Sequence, residues 1–387
     1  MNRAWLLGEG AVRLWGLDGA TRFRRQFASL GMGEAGSLVE LAACERALIV
    51  DAEYVIELRG LKSLVSLDGL LVLDGQPVAA SVPGSRVDDA LAAMAGQDVG
   101  LARLGVADLD AFEGDLRKAE PPLVARVTPG DRDALESRLY GAAYKGVTDF
   151  VTKWWWPRPA RVGVRVAASL GLTPNMVTLI GFLLMLFACW AFLQGNYVAG
   201  LVSGWIMTWL DTVDGKLARV TVQSSQFGHL FDHGIDLLHP PFWYWCWGLS
   251  LADWTGPFDM DASEMMLAIV AGYVGGRVAE GAFHLLGPIS LFAWRPFDAW
   301  FRLITARRNP CLVLLTLGWA AGAPDAGFVL VAAWTVVSTG ILILRLLWAV
   351  IERVRRGPLQ SWLAEPDART RYPRAYATFS ATRGAYA

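Results

Sequence analysis

Four aspartates at two spacings carry the chemistry legible in this chain. Asp211 and Asp214 stand in Asp211-Thr-Val-Asp214-Gly215-Lys-Leu-Ala218-Arg219; eight residues on, Asp232 and Asp236 stand in Gly228-His-Leu-Phe-Asp232-His-Gly-Ile-Asp236. At about 100° per helical residue, the first pair falls roughly 60° apart and the second roughly 40° apart, so each pair shares one helix face. Gly215 and Ala218 lie on the same side of the first helix and leave a floor without bulky side chains. Two such faces brought together give four oxygen ligands beside a smooth slot, which suits a hard divalent cation and a bound phosphate ester. Oxygen-only ligation argues against zinc. These acids fall where hydropathy predicts membrane helices, and intramembrane acids are costly enough to imply a function.

The elements that position them follow from hydropathy. Apolar spans run over roughly 176–194, 198–220, 227–250, 264–287, 311–323 and 327–349; the fifth is short. Arg158, Arg161 and Arg165 precede the first span, and Lys216 and Arg219 lie towards the junction of the second and third. Arg295, Arg302, Arg307 and Arg308 separate the fourth from the fifth, and Arg353, Arg355 and Arg356 follow the sixth, whereas the alternate loops hold no Lys or Arg. Six transmembrane helices with the site and both termini facing the cytoplasm satisfy the positive-inside rule at every loop. The expected fold is thus an α-helical polytopic membrane protein with an N-terminal α/β cytosolic domain.

Four segments are expected: an α/β domain over 1–140, a linker and interfacial amphipathic helix over 141–175, the six-helix domain over 176–356, and a polar, poorly ordered tail over 357–387. In the first, Ala47-Leu-Ile-Val50, Leu70-Leu-Val-Leu73 and Val78-Ala-Ala-Ser-Val82 have strand length, while Asp88 to Ala95 and the charged stretch around Ala111 to Lys118 read as helices. The segment Lys153-Trp-Trp-Trp-Pro-Arg-Pro-Ala-Arg161, with Val162 to Leu170, reads as a helix on the membrane surface. Across 387 residues, 35 basic side chains balance 36 acidic ones, so net charge points to no nucleic-acid partner. The 18 Trp cluster near apolar segment ends, as interfacial belts do. Cys44, Cys189, Cys246 and Cys311 are scattered without zinc or redox spacing, and the N-terminal apolar run is too short for a signal peptide.

The aspartate string resembles the D-x2-D-G-x2-A-R-x8-G-x3-D-x3-D signature of the CDP-alcohol phosphotransferase (CDP-alcohol phosphatidyltransferase) family, with every fixed position met. The resemblance implies a polytopic membrane enzyme that cleaves the pyrophosphate of a CDP-alcohol, passes the phospho-alcohol to a hydroxyl acceptor and releases CMP. It implies one or two Mg²⁺ or Mn²⁺ ions on Asp211, Asp214, Asp232 and Asp236, with Asp236 as the base for the acceptor hydroxyl. Arg219 would pair with donor phosphates; Gly215, Ala218 and Gly228 would admit the nucleotide. Asn175 and Thr178, in Leu172-Thr-Pro-Asn-Met-Val-Thr178, match a recurring segment opening the first helix and would help hold it. By likeness to inositol-phosphate-using members, Arg277, Arg307 and Arg308 are acceptor-site candidates. Those members point to inositol-phosphodiester or phospholipid products, with an inositol phosphate or a lipid as acceptor.

Three other readings stay open: phosphatidyl transfer from CDP-diacylglycerol to a polar alcohol, head-group transfer from a soluble CDP-alcohol to a lipid hydroxyl, and an ion-coupled transporter lined by the acids. The Asp-Gly-x-x-Ala-Arg core weighs against transport, which requires no nucleotide-sized floor. His229 and His239 read as satisfied polar residues near the site. Pro240-Pro241 should kink the third span. Membrane lipids surround such a bundle, and a homodimer is compatible with its size. Several family members carry a cytidylyltransferase, or a degenerate relative, ahead of the membrane part. Leu14 to Arg25 and Ala47 to Glu53 loosely resemble parts of that fold, but Gly8-Glu-Gly10-Ala-Val-Arg13 is a poor phosphate loop in which Glu9 would repel a triphosphate. A structural or regulatory remnant is therefore expected.

Overall fold

Ala47, Leu48, Ile49 and Val50 are completely buried, as a strand covered on both faces of a sheet requires. The computed structural model describes residues 1–223, 226–251, 254 and 256–380, without the side chains of 226–233, 235–238 and 258. Its first part runs β1 (Arg3–Leu7), α1 (Gly19–Ser29), β2 (Gly33–Glu34), α2 (Leu38–Ala42), β3 (Arg46–Asp51), β4 (Tyr54–Ile56), α3 (Leu58–Val65), β5 (Gly69–Leu73), β6 (Gln76–Pro83), α4 (Val87–Met94) and β7 (Arg103–Leu104). Six of these strands form one sheet in the order β2-β1-β3-β6-β5-β7, parallel around β1 and antiparallel around β6. The strand-length runs at 47–50, 70–73 and 78–82 are its β3, β5 and β6.

The charged stretch 111–118 is not helical. It forms a hairpin of β8 (Phe112–Glu113) and β9 (Lys118–Ala119), followed by β10 (Val124–Arg126), which pairs with β4. Long-range partners override local propensity here. Gly146 N donates to the Leu116 carbonyl at 2.8 Å, and Ala119 N to the Ser380 carbonyl at 2.8 Å, which wedges the hairpin between linker and C-terminal tail.

After α5 (Arg132–Ala142), a π-turn over Val151–Trp155 leads into α6 (Pro157–Ser169), α7 (Pro174–Leu193), α8 (Tyr197–Val220), α9 (Gln226–Leu249), α10 (Ala262–His284), α11 (Pro296–Ile304), α12 (Arg308–Ala320) and α13 (Pro324–Arg356). Helix α7 is apolar all round: Val177, Met185 and Phe192 are buried, whereas Leu179, Leu183 and Trp190 face outward, the pattern of a helix with lipid on its open side. Among the described residues, α7, α10 and α13 are long and apolar enough to cross a membrane. The six expected spans are therefore met by three on that criterion. Helix α8 carries Asp211, Asp214, Lys216 and Arg219 in its last turns. The 13 residues of α12 rise only about 20 Å, short of the roughly 30 Å hydrocarbon layer. At the far end of α12 a Cβ on Gly318 would stand 2.5 Å from Gly327 Cα, so the close approach of α12 to α13 requires glycine there. Helix α9 continues through Pro240 and Pro241.

The tail expected to lack order folds back as a turn over Trp362–Ala364, α14 (Ala368–Arg371) and α15 (Pro373–Phe379). Trp362 and Phe379 anchor it, both fully buried in a core that also holds Phe283, Trp294 and Leu342. Two aromatic anchors outweigh a polar composition, because each removes a large apolar surface from water.

The α/β part is docked on the helices through the loop after β1. Trp15 N donates to Glu136 Oε1 at 2.8 Å, and its indole Nε1 to the Glu136 carbonyl at 3.0 Å. Arg22 Nη1 donates to the Val220 carbonyl at 2.9 Å, and Arg25 Nη1 to the Thr221 carbonyl at 2.7 Å. Two arginines of α1 thus satisfy carbonyls left open at the C-terminus of α8, where positive charge is also favoured by the helix dipole.

Candidate active site

Helix α7 starts where Thr173 caps it, its side chain accepting from Met176 N, with Pro174 in the first turn; both are strong start signals. That start places Thr178 one turn in, against α8. Thr178 Oγ1 donates to Asp214 Oδ2 at 2.6 Å and is itself 3.1 Å from the Pro174 carbonyl. Asp214 is buried. Asp211 lies one turn earlier on the same face and receives a forked contact from Arg308: Nη1 reaches Oδ1 at 3.3 Å and Nη2 reaches Oδ2. Planar fork-on-carboxylate pairing is the strongest form of this contact.

The side chains of Asp232 and Asp236 on α9, with Gly228 and His229, lie outside the described residues. Among the described residues, no three of His, Cys, Asp or Glu come together as metal ligands. The two carboxylates that are described fit a hard cation by donor type, and a guanidinium already occupies the cation's position opposite Asp211.

Other candidates are placed as follows. Arg219 Nε donates to the Ala143 carbonyl at 2.8 Å, tying the signature arginine to the end of α5. A Cβ on Gly215 would stand 3.1 Å from Arg219 Nη2, so glycine leaves that guanidinium its place. Ala218 is half-buried on the same helix and Asn175 is exposed in the first turn of α7. The Lys216 ammonium sits 3.7 Å from the centre of the Tyr144 ring. His239 is buried, edge-on to Trp243 with ring centres 5.1 Å apart.

The three acceptor-site arginines part company. Arg308 turns to Asp211, whereas Arg307, its neighbour, forms an ion pair with Glu280 of α10. Arg277 lies 3.9 Å from the same Glu280. Arg277, Glu280 and Arg307 line a cleft of about 230 Å³, with Gly272 and Gly276 on the α10 side and Thr305 opposite. Asn309 completes the start of α12: its Nδ2 donates to Asp149 Oδ1 at 3.0 Å and to Thr152 Oγ1 at 3.1 Å. Sequence reading missed Glu280 and Asp149. Glu280 was visible as an acid three residues after Arg277 in an apolar span; Asp149 carried no such signal.

Residues 171–275 match the profile of the family described as CDP-alcohol phosphatidyltransferase. Archaetidylinositol phosphate synthase of Pyrococcus horikoshii is 46% identical over 79 residues, which cover 20% of this chain and 41% of the relative. Cholinephosphotransferase 1 of Gallus gallus is 31% identical over 215 residues, covering 43% of this chain and 61% of its own. Choline/ethanolaminephosphotransferase 1 of Arabidopsis thaliana is 27% identical over 206 residues, covering 41% and 50%. The chain thus spans about two fifths to three fifths of these relatives' length.

Proposed function

We propose, from the membership of residues 171–275 in the CDP-alcohol phosphatidyltransferase family, that this chain transfers a phospho-alcohol group from a CDP-alcohol to a hydroxyl acceptor and releases CMP. The observation that carries this reading is the convergence of Thr178 and Arg308 on Asp214 and Asp211, which puts the signature acids on one helix face with a cation opposite. Magnesium or manganese held by Asp211 and Asp214, with Asp232 and Asp236 from α9, would neutralise charge on the pyrophosphate and open the phosphorus to in-line attack.

The chain's own side chains divide the remaining work. Thr178 fixes the rotamer of Asp214 by donating to one carboxylate oxygen. Arg308 balances Asp211 until a donor pyrophosphate arrives and can then turn its fork to those oxygens. Arg219 faces the same phosphates from the last turn of α8. Asp236 accepts the proton of the attacking hydroxyl. Arg277 and Arg307 flank the acceptor across the cleft. The matched names, one an inositol phosphate product synthase and two choline or ethanolamine phosphotransferases, favour phospholipid synthesis.

We further propose six membrane crossings with the site facing the cytoplasm, which the distribution of Arg supports. The soluble domain serves structure rather than nucleotidyl transfer, since its β1–α1 loop is occupied with docking. The test is to incubate purified protein with Mg²⁺, a panel of CDP-alcohols and candidate acceptors, and to identify products by mass spectrometry. Metal-dependent CMP release coupled to a new phosphodiester is expected; ion flux through proteoliposomes without CMP release would favour the transporter instead.

A further inference from the structure

The surroundings of the α10–α12 cleft hold more positive charge than the membrane helices alone supply. Arg277 and Arg307 share one carboxylate, Glu280. Arg302 of α11 stands 4.0 Å from Asp149, but that carboxylate already accepts from Thr152 N, Thr152 Oγ1 and Asn309 Nδ2. Arg302 Nη1 and Arg277 Nε are buried donors with no acceptor among the described residues. A fourth guanidinium comes from the soluble domain. Arg117, at the turn of the β8–β9 hairpin, lies within electrostatic range of Arg302, Glu280 and Arg277. Burial, then the neighbouring Arg302, hold it down to about 10. Its φ of 50° puts a non-glycine residue in the left-handed region, strain that persists only where the surroundings impose it.

Four guanidiniums (Arg117, Arg277, Arg302, Arg307) therefore face two buried carboxylates, Glu280 and Asp149; the nearby Asp115 is open to solvent. Uncompensated buried charge and buried N–H donors without acceptors are both costly. The excess of two positive charges matches a phosphate monoester, which carries about −1.5 to −2 at neutral pH and presents three strong acceptor oxygens.

We infer that the soluble domain completes this cleft as an anion site, Arg117 joining Arg277, Arg302 and Arg307 around a phosphate monoester. The inference rests on the reading of the cleft as the acceptor site and adds that the acceptor carries its own phosphate. It also gives the α/β domain a part in substrate binding.

The test uses the full-length protein in lipid nanodiscs. One arm titrates glycerol 3-phosphate against glycerol; a second compares discs with and without phosphatidic acid, which separates a soluble monoester from a lipid one; CMP binding is measured alongside. Saturable binding of the monoester in either arm, with none of glycerol, is expected. Arg117→Asn tolerates the left-handed backbone and should weaken that binding about tenfold, the loss of one charged hydrogen-bond partner. Arg117→Lys should recover part of the loss, and CMP binding should not change in either variant. Wild-type monoester affinity in Arg117→Asn, with loss in Arg307→Ala, would overturn the role of Arg117 and leave the acceptor cleft standing. Equal loss of monoester and CMP binding in Arg117→Asn would make the residue structural and overturn it too. Wild-type protein that binds CMP but no monoester sinks the anion site, whereas wild-type protein that binds no CMP sinks the transferase reading itself.

Discussion

Two Arg–Asp pairs in the helical part have the same chemistry and opposite settings. Arg345 of α13 grips Asp298 of α11 with Nε–Oδ1 at 2.6 Å and Nη2–Oδ2 at 2.8 Å. Its guanidinium is stacked between Trp294 and Trp348, each ring centre 4.6 Å away, and the Asp298 side chain has no exposed surface. Burial pushes that carboxyl up while the Arg345 hydrogen bonds pull it back. Arg308 and Asp211 keep 13% and 23% of their side-chain surface open, beside Asp214 and Thr178. The enclosed pair can exchange with nothing. The open pair can give way to a bound cation or phosphate. Enclosure, not pair geometry, separates a strut from a site.

Four measurements would break or sharpen this contrast. Arg345→Met leaves Asp298 buried without its partner and should cost about 3–5 kcal/mol, read as a drop in thermal midpoint, while Arg345→Met with Asp298→Leu should recover most of it. Arg308→Met should cost under about 1 kcal/mol; comparable losses at the two pairs would erase the distinction. Next in size, Asp214→Asn should lower metal-dependent CMP release by about a hundredfold or more with the folded protein still in the membrane. Retained turnover would contradict its role as a ligand. Arg307→Ala should raise the acceptor KM about tenfold and the donor KM far less, and the opposite split would move Arg307 to the donor side. The smallest effect is at Lys153, whose ammonium donates to the Gly146 carbonyl at 2.8 Å and is held from 10.5 down to about 8 by burial. Between these values the unfolded chain binds more protons than the folded one, so stability should rise with pH across that window; below about 8 both states are protonated and the penalty is complete. Lys153→Met should remove this contribution, read as the wild-type-minus-variant difference in denaturation midpoint from pH 7 to 10.

Much of the fold was legible in the sequence because apolar periodicity reports burial directly. The runs at 47–50, 70–73 and 78–82 became strands, and Thr173-Pro174 opened a helix as capping chemistry requires. The site was legible as residue types: Thr178 meets Asp214 as the family segment suggested that it stands near the nucleotide slot. What local pattern could not carry was long-range pairing. The stretch Phe112 to Ala119 is rich in helix formers, yet hydrogen bonds to Leu116 and from Ala119, to partners far along the chain, made it a hairpin. The tail is polar on average, and only the burial of Trp362 and Phe379 decides its path. Arg307 and Arg308 looked equivalent as adjacent basic residues; the extended backbone at Arg307, ahead of the first turn of α12, sends them to different helices.

The docking of α1 on α8 bears on how the protein can be cut down. A fragment beginning at residue 141 would retain every signature aspartate but lose Arg22 and Arg25, the donors to the Val220 and Thr221 carbonyls. The last turn of α8, which carries Arg219, would then fray in water. The minimal enzyme therefore extends well beyond the stretch that bears the motif, and its working length is set by a helix end rather than by a domain boundary.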